Sequence, residues 1–319
     1  MEILKLKPAF KDYLWGGNKL QKQFFKSSSL DIVAESWEVS TNEDGLSLIA
    51  DSPYKGMTLA EYIALKGPGV IGADYDRSEF PILIKLIDAA QSLSIQVHPD
   101  DTYALAHENS LGKTEMWYII DAAEGAFIYY GVKKPVTRDE LEEAIRSNTI
   151  EDLLEKRYVK KGDHVFLAPG TIHAIGAGIL ICEVQQNSNI TYRVYDYDRR
   201  GADGAPRQLH IPQALAVSKL TPNTSEALTS ENPYSPDLTR LAQSPYFNVF
   251  KGSASPSGHE LLVLETSFQT LTFIEGFGSI EDNFGNITNF RKGDSFFIPA
   301  QEPCNYWIKG KGEFIMGTL

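Results

Sequence analysis

The feature that most narrows the fold is an internal echo. Lys161-Gly162-Asp163-His164-Val165-Phe166-Leu167-Ala168-Pro169 is matched by Lys292-Gly293-Asp294-Ser295-Phe296-Phe297-Ile298-Pro299. Each reads as a Gly-Asp turn followed by a short buried strand that stops at proline, because glycine opens the turn and proline cannot extend a ladder. Two copies of one unit predict two like β units. A length of 319 residues agrees with this, at roughly 150 residues per domain. The stretch from Thr221 to Pro236, rich in Pro, Ser, Asn and Thr, is the expected linker. It divides the chain into residues 1–230 and 231–319.

Strand signals dominate elsewhere too. Apolar or alternating runs at Pro81–Ile87, Ser92–His98, Met116–Ile120 and His164–Ala168 are separated by Gly, Pro, Asn and Asp clusters, the pattern of an all-β sandwich or barrel. Helices are the minority. Thr58-Leu59-Ala60-Glu61 and Thr137-Arg138-Asp139-Glu140 are capping boxes, and Gly67-Pro68 ends the first helix. Ile211–Val217 carries Pro212 early, where a helix tolerates it.

Composition excludes several classes. The apolar share of 42% supports sizeable cores, yet no run approaches the ~18 apolar residues of a membrane span. Met1–Lys7 shows neither a long apolar region nor a small-residue cleavage site, and Cys182 and Cys304 are too few for a disulfide framework. The expected location is therefore the cytoplasm. With 42 acidic against 30 basic residues the formal charge is −12, which repels nucleic acid. An anionic substrate must be held by a few basic groups inside a pocket.

The chemistry-bearing residues fall on consecutive strand-like segments. In Ser92–His98, alternation puts Ser94, Gln96 and His98 on one face and Leu93, Ile95 and Val97 on the other. Lys113 and Glu115 share a face by the same rule, and His173 sits just past Ala168-Pro169-Gly170. A single histidine is more often a satisfied core or surface group. Two His, one Glu and an amide oxygen on neighbouring strands suit a divalent metal of zinc type with a position left open. His107, His164, His210 and His259 are expected at the surface. Lys85 interrupts the apolar run Pro81–Ile87. A buried lysine is costly unless paired, and a phosphate would pair it; otherwise its stem packs while the amine reaches solvent.

These segments carry a resemblance. The Gly-Asp–strand–Pro unit resembles the second motif of a cupin, a small jelly-roll barrel. Only the first copy is followed by a histidine, in Gly170-Thr171-Ile172-His173, whereas the second runs into Ala300-Gln301-Glu302-Pro303. Gln96-Val97-His98-Pro99-Asp100, Lys113-Thr114-Glu115-Met116-Trp117 and Pro169–Ala174 together are similar to the signature motifs of type I mannose-6-phosphate isomerases, in their short bacterial form. The likeness extends from Trp15-Gly16-Gly17 into the second cupin unit.

The resemblance implies a mainly β fold of two cupin barrels with a few α-helices inserted in the N-terminal part, the second barrel having no metal ligands. It implies one zinc ion per chain, held by Gln96, His98, Glu115 and His173. Glu183 and Arg193 would line the substrate pocket, with Arg193 the usual catalytic residue and Lys113 or Glu183 the proton-transfer base. Lys85 and Ser94 match phosphate contacts, and Arg199 or Arg200 would add a second cation. The implied partner is a sugar phosphate, mannose 6-phosphate interconverting with fructose 6-phosphate through a cis-enediol. The protein would act as a monomer or homodimer without nucleic acid or membrane. An iron-dependent cupin oxygenase and a non-catalytic sugar-binding bicupin are the competing classes; neither needs this whole residue set.

Overall fold

The computed structural model describes residues 1–77, 79–201, 204–224 and 232–319. Residues 225–231 of the expected linker thus lie outside the described residues. The fold is mainly β, with antiparallel strands in three sheets and a few short helices. No helix among the described residues is long and apolar enough to cross a membrane.

Two sheets built from the first two-thirds of the chain face each other. One has six strands in the order His164–Leu167, Glu115–Ala122, Ile179–Gln186, Ile82–Ala89, Glu35–Val39 and Ala9–Lys11. The other has five, Tyr192–Tyr195, Ile95–Val97, His173–Ile175, Phe127–Val132 and Leu154–Tyr158. Side-chain alternation sorts their residues into layers. Ile87, Trp117, Ile119 and Ile181 of the first sheet meet Ile128 and Ile175 of the second in one core. Leu86, Tyr118 and Cys182, one residue out of phase, face away and pack with Phe247, Phe268, Phe297 and Ile315. On the outer face of the five-stranded sheet, Ile95, Val97 and Val194 pack under Leu141 and Ile145 of helix Arg138–Arg146 and Ala214 of helix Ile211–Val217.

The third sheet has nine strands, and it is not drawn from one end of the chain. Leu4–Lys7 pairs with Ser295–Ile298, and Leu48–Ile49 extends that edge. Residues on both sides of the 230/231 boundary therefore share one ladder.

The two copies of the echo fold alike. Gly162 and Gly293 have φ of 94° and 91°, a region costly for residues with a Cβ. The Asp163 carboxylate accepts the Lys160 N–H at 2.9 Å, and Asp294 accepts the Arg291 N–H at 2.9 Å. Each turn then releases its strand, His164–Leu167 or Ser295–Ile298. The surroundings differ. At the second turn Lys26 reaches in to donate to Gly293 O and, at 2.8 Å, to Glu38, which also accepts Ser36 at 2.6 Å and Ser295 at 2.8 Å. This buried ion pair locks the six-stranded sheet to the nine-stranded one.

Helix starts follow the sequence. Leu59–Lys66 and Arg138–Arg146 both open with complete capping boxes, and Gly67 closes the first. Asp100 caps helix Asp101–His107. One expectation fails: His259 is buried, its Nδ1 against Ser253 O at 2.8 Å and its Nε2 against Ser235 Oγ at 3.2 Å. Strand His259–Val263 pairs with Cys304–Thr318, so a position read as peripheral is an interior strand end.

The two turn glycines should respond differently to alanine. At Gly162 an added Cβ meets nothing within 4 Å, so only backbone strain opposes it, about 1–2 kcal/mol. At Gly293 the same Cβ would lie 2.3 Å from the Phe24 carbonyl oxygen, which adds a further roughly 1–3 kcal/mol of overpacking. Urea unfolding midpoints should rank wild type above Gly162→Ala above Gly293→Ala. Equal losses would mean that the second turn is not clamped.

Candidate active site

Register brings the polar residues together. In the five-stranded sheet Gln96 lies opposite both Arg193 and His173, so these three side chains form a row on the inner face. In the six-stranded sheet Glu183 lies opposite Lys85 and Trp117, a second inward row, and Glu115 precedes Trp117 by two. His98 follows strand Ile95–Val97, and its carbonyl accepts the Gly170 N–H at 2.8 Å, tying it to the turn before His173. The strand is shorter than the run Ser92–His98. Leu93 consequently escapes the alternation and joins the inner core with Trp117.

His98, Glu115 and His173 are each at most 2% exposed, and a ligating atom from each lies within 4.8 Å of the others. His98 Nε2 is 3.3 Å from Glu115 Oε1 and His173 Nε2 is 3.5 Å from Oε2. These separations match the roughly 3.4 Å edge of a tetrahedron with bonds of about 2.1 Å. Because Thr171 O can only accept, its 2.8 Å contact fixes the proton on His173 Nδ1 and leaves Nε2 bare toward Glu115. Burial, followed by the Lys113 charge, pulls His98 down to about 3, so its imidazole is neutral and able to ligate. The Gln96 amide is 3.5 Å from His173 Nε2; its O and N ends are interchangeable in placement.

Glu115 is the most telling group. Neither carboxylate oxygen has a hydrogen-bond donor in good geometry, although Lys113 Nζ is 2.8 Å from Oε1. Burial raises its carboxyl, but the Lys113 charge and then the two imidazoles outweigh this and hold it well below the usual carboxylate range. A buried carboxylate flanked by two imidazole nitrogens, with Lys113 on one oxygen, is a donor set that fits a divalent cation.

Beside this cluster lies a cavity of about 300 Å³, lined among others by Ser94, Gln96, Lys113, Glu183, Arg193 and Arg207. Trp117 Nε1 donates to Glu183 Oε1 at 2.9 Å and Trp37 Nε1 to Glu35 Oε2 at 2.7 Å. Burial and then the Glu115 charge push the Glu183 carboxyl above its ordinary value. Lys85 is buried, as read, but it is already paired: Nζ lies 3.6 Å from Glu35 and 3.5 Å from Glu183, over the Trp37 ring at 4.7 Å. Burial pulls its ammonium down, yet the two carboxylates outweigh this and raise it. Lys85 thus has anionic partners within the protein, and its burial does not by itself require a phosphate.

Arg193 Nε donates to Ser94 Oγ at 3.3 Å and its Nη1 to Gln208 O at 2.9 Å. Its backbone N–H donates to His210 Nδ1 at 3.2 Å, so His210 is part of this support and not a bystander. Arg199 is turned elsewhere, into Asp196 and the Ser92 carbonyl at 2.6 Å. Arg200 is exposed and donates to Gly204 O. His107 and His164 are exposed, as read.

Sequence reading missed Glu35, Trp37, Asp196 and Arg207. The run Glu35-Ser36-Trp37-Glu38-Val39, a short strand with two carboxylates, was the available signal for the first two. Arg207 lies in a loop without periodicity, where no local pattern marks it.

Comparison with known proteins places the chain in a family. Residues 3–125 match the family described as phosphomannose isomerase type I, catalytic domain, and residues 237–318 match the mannose-6-phosphate isomerase cupin domain. The mannose-6-phosphate isomerase ManA of Bacillus subtilis is 38% identical over 93% of this chain and 93% of its own. The mannose-6-phosphate isomerase of Streptococcus mutans is 37% identical over 93% of this chain and 92% of its own. A crystal structure of the mannose 6-phosphate isomerase from Bacillus subtilis superposes with a TM-score of 0.90 at 36% identity, covering 99% of both chains. With relatives this similar over almost the whole length, the chain belongs to the type I mannose-6-phosphate isomerase family, a family of enzymes.

Proposed function

We propose that this chain interconverts D-mannose 6-phosphate and D-fructose 6-phosphate by moving a proton between C1 and C2 through a cis-enediol, with one zinc ion per chain. The observation that carries the reading is the buried Glu115 carboxylate at bonding-edge distances from His98 and His173. Gln96, His98, Glu115 and His173 would hold the ion. When bound it supplies Lewis-acid polarisation of the sugar carbonyl.

The chain's own groups supply the rest. Glu183 is the better placed base: it lines the cavity, its Oε1 is anchored by Trp117, and its Oε2 is met only by the more distant Lys85 ammonium at 3.5 Å. A carboxyl raised above its ordinary value is a stronger base toward a C–H proton. It takes the proton from C2 and returns it to C1. Lys113, held between Glu115 and His98, places an ammonium beside the same oxygens. Arg193, next to Gln96 across the sheet, adds a permanent positive charge where negative charge develops on the enediol oxygens. All these residues precede 231, which supports 1–230 as the catalytic region and 231–319 as a region without metal ligands.

Zinc content and turnover should fall together. His98→Ala, Glu115→Ala and His173→Ala are each expected to lose bound zinc and activity, and Gln96→Ala to be milder, because a neutral amide oxygen is the weakest donor. A coupled assay for fructose 6-phosphate, with and without a chelator, and metal analysis of each purified variant provide the check. Stoichiometric zinc in His173→Ala would refute the ligand set.

The base assignment has its own test. Glu183→Gln keeps shape and the Trp117 contact but removes the base, so kcat should drop by about 10²–10⁴ with zinc retained. Lys113→Met should lower kcat while leaving slow solvent-proton exchange at C2 detectable. Should Glu183→Gln still exchange the C2 proton with deuterated water at the wild-type rate, Lys113 is the base.

A further inference from the structure

The charges of the cavity are unevenly shared between its two ends. At the end formed by the six-stranded sheet, Lys85 lies between Glu35 and Glu183, one cation against two carboxylates. At the other end Arg193, Arg199 and Arg207 gather around a single carboxylate, Asp196. The first group carries a surplus negative charge; in the second the two arginines that line the cavity, Arg193 and Arg207, face one carboxylate, with Arg199 behind it, so the surplus is positive. A phosphate monoester, close to a dianion at neutral pH, is repelled by the first and matched by the second.

Two of these arginines, Arg193 and Arg207, line the cavity, and Arg207 turns its Nη1 edge away from its partner Asp196. Its Nε and Nη2 make a bidentate fork on Asp196, at 2.6 Å and 2.5 Å, so the guanidinium is held rigidly by one edge. Arg207 nonetheless lines the cavity together with Ser94 and Arg193, whereas Arg199 does not. Asp196 is itself set by backbone strain. Tyr197 and Asp198 are consecutive non-glycine residues at φ 54°, and the turn closes with Arg199 N–H on Asp196 O at 3.0 Å. Such conformations cost about 1–3 kcal/mol each and persist where the surroundings enforce them, commonly at ligand sites.

We propose that Arg207 is the principal charged contact for the substrate phosphate, with Ser94 beside it, and that Asp196 is a positioning residue that aims it. Resting on the reading of this site as one for a sugar phosphate, the assignment moves the phosphate from Lys85 to the opposite end of the cavity. Arg193, between Arg207 and Gln96, then spans the distance from the phosphate to the reacting carbons.

Steady-state kinetics of the zinc-loaded enzyme test this, with inorganic phosphate as a competitive inhibitor. Arg207→Ala should raise KM for mannose 6-phosphate and the phosphate inhibition constant together, roughly ten- to a hundredfold, with kcat within about threefold. A phosphate contact is made equally in ground and transition states, which is why kcat is spared. Asp196→Asn should give a smaller KM rise, and adding it to Arg207→Ala should change little more, because its effect acts through Arg207. Arg207→Lys, which keeps the charge but not the fork, should fall between wild type and alanine and serves if the alanine variant does not fold. The proposal is overturned if Arg207→Ala leaves both KM and phosphate inhibition within about twofold, or lowers kcat alone. If the wild type makes no fructose 6-phosphate, the functional reading fails, and calorimetry of inorganic phosphate with wild type and Arg207→Ala still decides the anion site.

Discussion

Burial of the Glu115 carboxylate is the constraint on which the site depends. Two sheets face each other, and strand alternation sends every second residue of Glu115–Ala122 between them. Trp117 and Ile119 satisfy that rule with apolar surface, whereas Glu115 puts a charge in the same layer. An unpaired charge there would cost several kcal/mol, so the surroundings must answer it. They answer with Lys113 and two imidazoles: His173 comes from a strand paired in register with Gln96, and His98 and Lys113 flank strand ends. The Thr171 carbonyl, by fixing the His173 proton on Nδ1, decides which face of that ring is presented. The cluster is thus specified by backbone geometry more than by side-chain freedom.

That geometry explains what the sequence could and could not reveal. The echo and the capping boxes were legible, and so was the candidate cluster of His98, Glu115 and His173, because each rests on local pattern: a turn needs its glycine, a helix start needs Thr and Glu three apart, and a strand alternates. Pairings between distant segments were not. Lys85 meets Glu35 because Glu35–Val39 lies beside Ile82–Ala89, and nothing within either segment announces the other. Lys85 consequently looked like a cation awaiting a phosphate. Leu93 was assigned to the wrong face because the strand begins only at Ile95. His259 looked peripheral because its partner strand, Cys304–Thr318, follows by more than forty residues.

The paired Lys85 has a consequence beyond its own neutralisation. Glu35 and Glu183 both accept an indole N–H, from Trp37 and Trp117, and Lys85 bridges them. The result is a buried wall that holds Glu183 by both oxygens, Oε1 at Trp117 and Oε2 near Lys85. Burial and the Glu115 charge raise that carboxyl, while Lys85 opposes the rise. If Glu183 is the base, as proposed, such a balance is what it requires. Complete neutralisation by Lys85 would leave it weak, and isolation would leave it protonated. Replacing the lysine would therefore disturb the chemistry as well as any binding, so loss of activity in such a variant says little about where phosphate sits.

The two Gly-Asp turns show how one local sequence can carry different loads. Both glycines adopt the same positive φ, and both aspartates close the turn by the same hydrogen bond. The first turn stands in open space, and the strand it releases, His164–Leu167, runs up to the loop that delivers His173. At the second, Phe24 and Lys26 press against Gly293, and the released strand places Ser295 on Glu38. Glu38 is on the same strand as Glu35. The second turn thus anchors, through a buried ion pair, the strand that carries the Lys85 partner. The second repeat unit still bears on the site, because it fixes the strand against which Lys85 and Glu183 are packed.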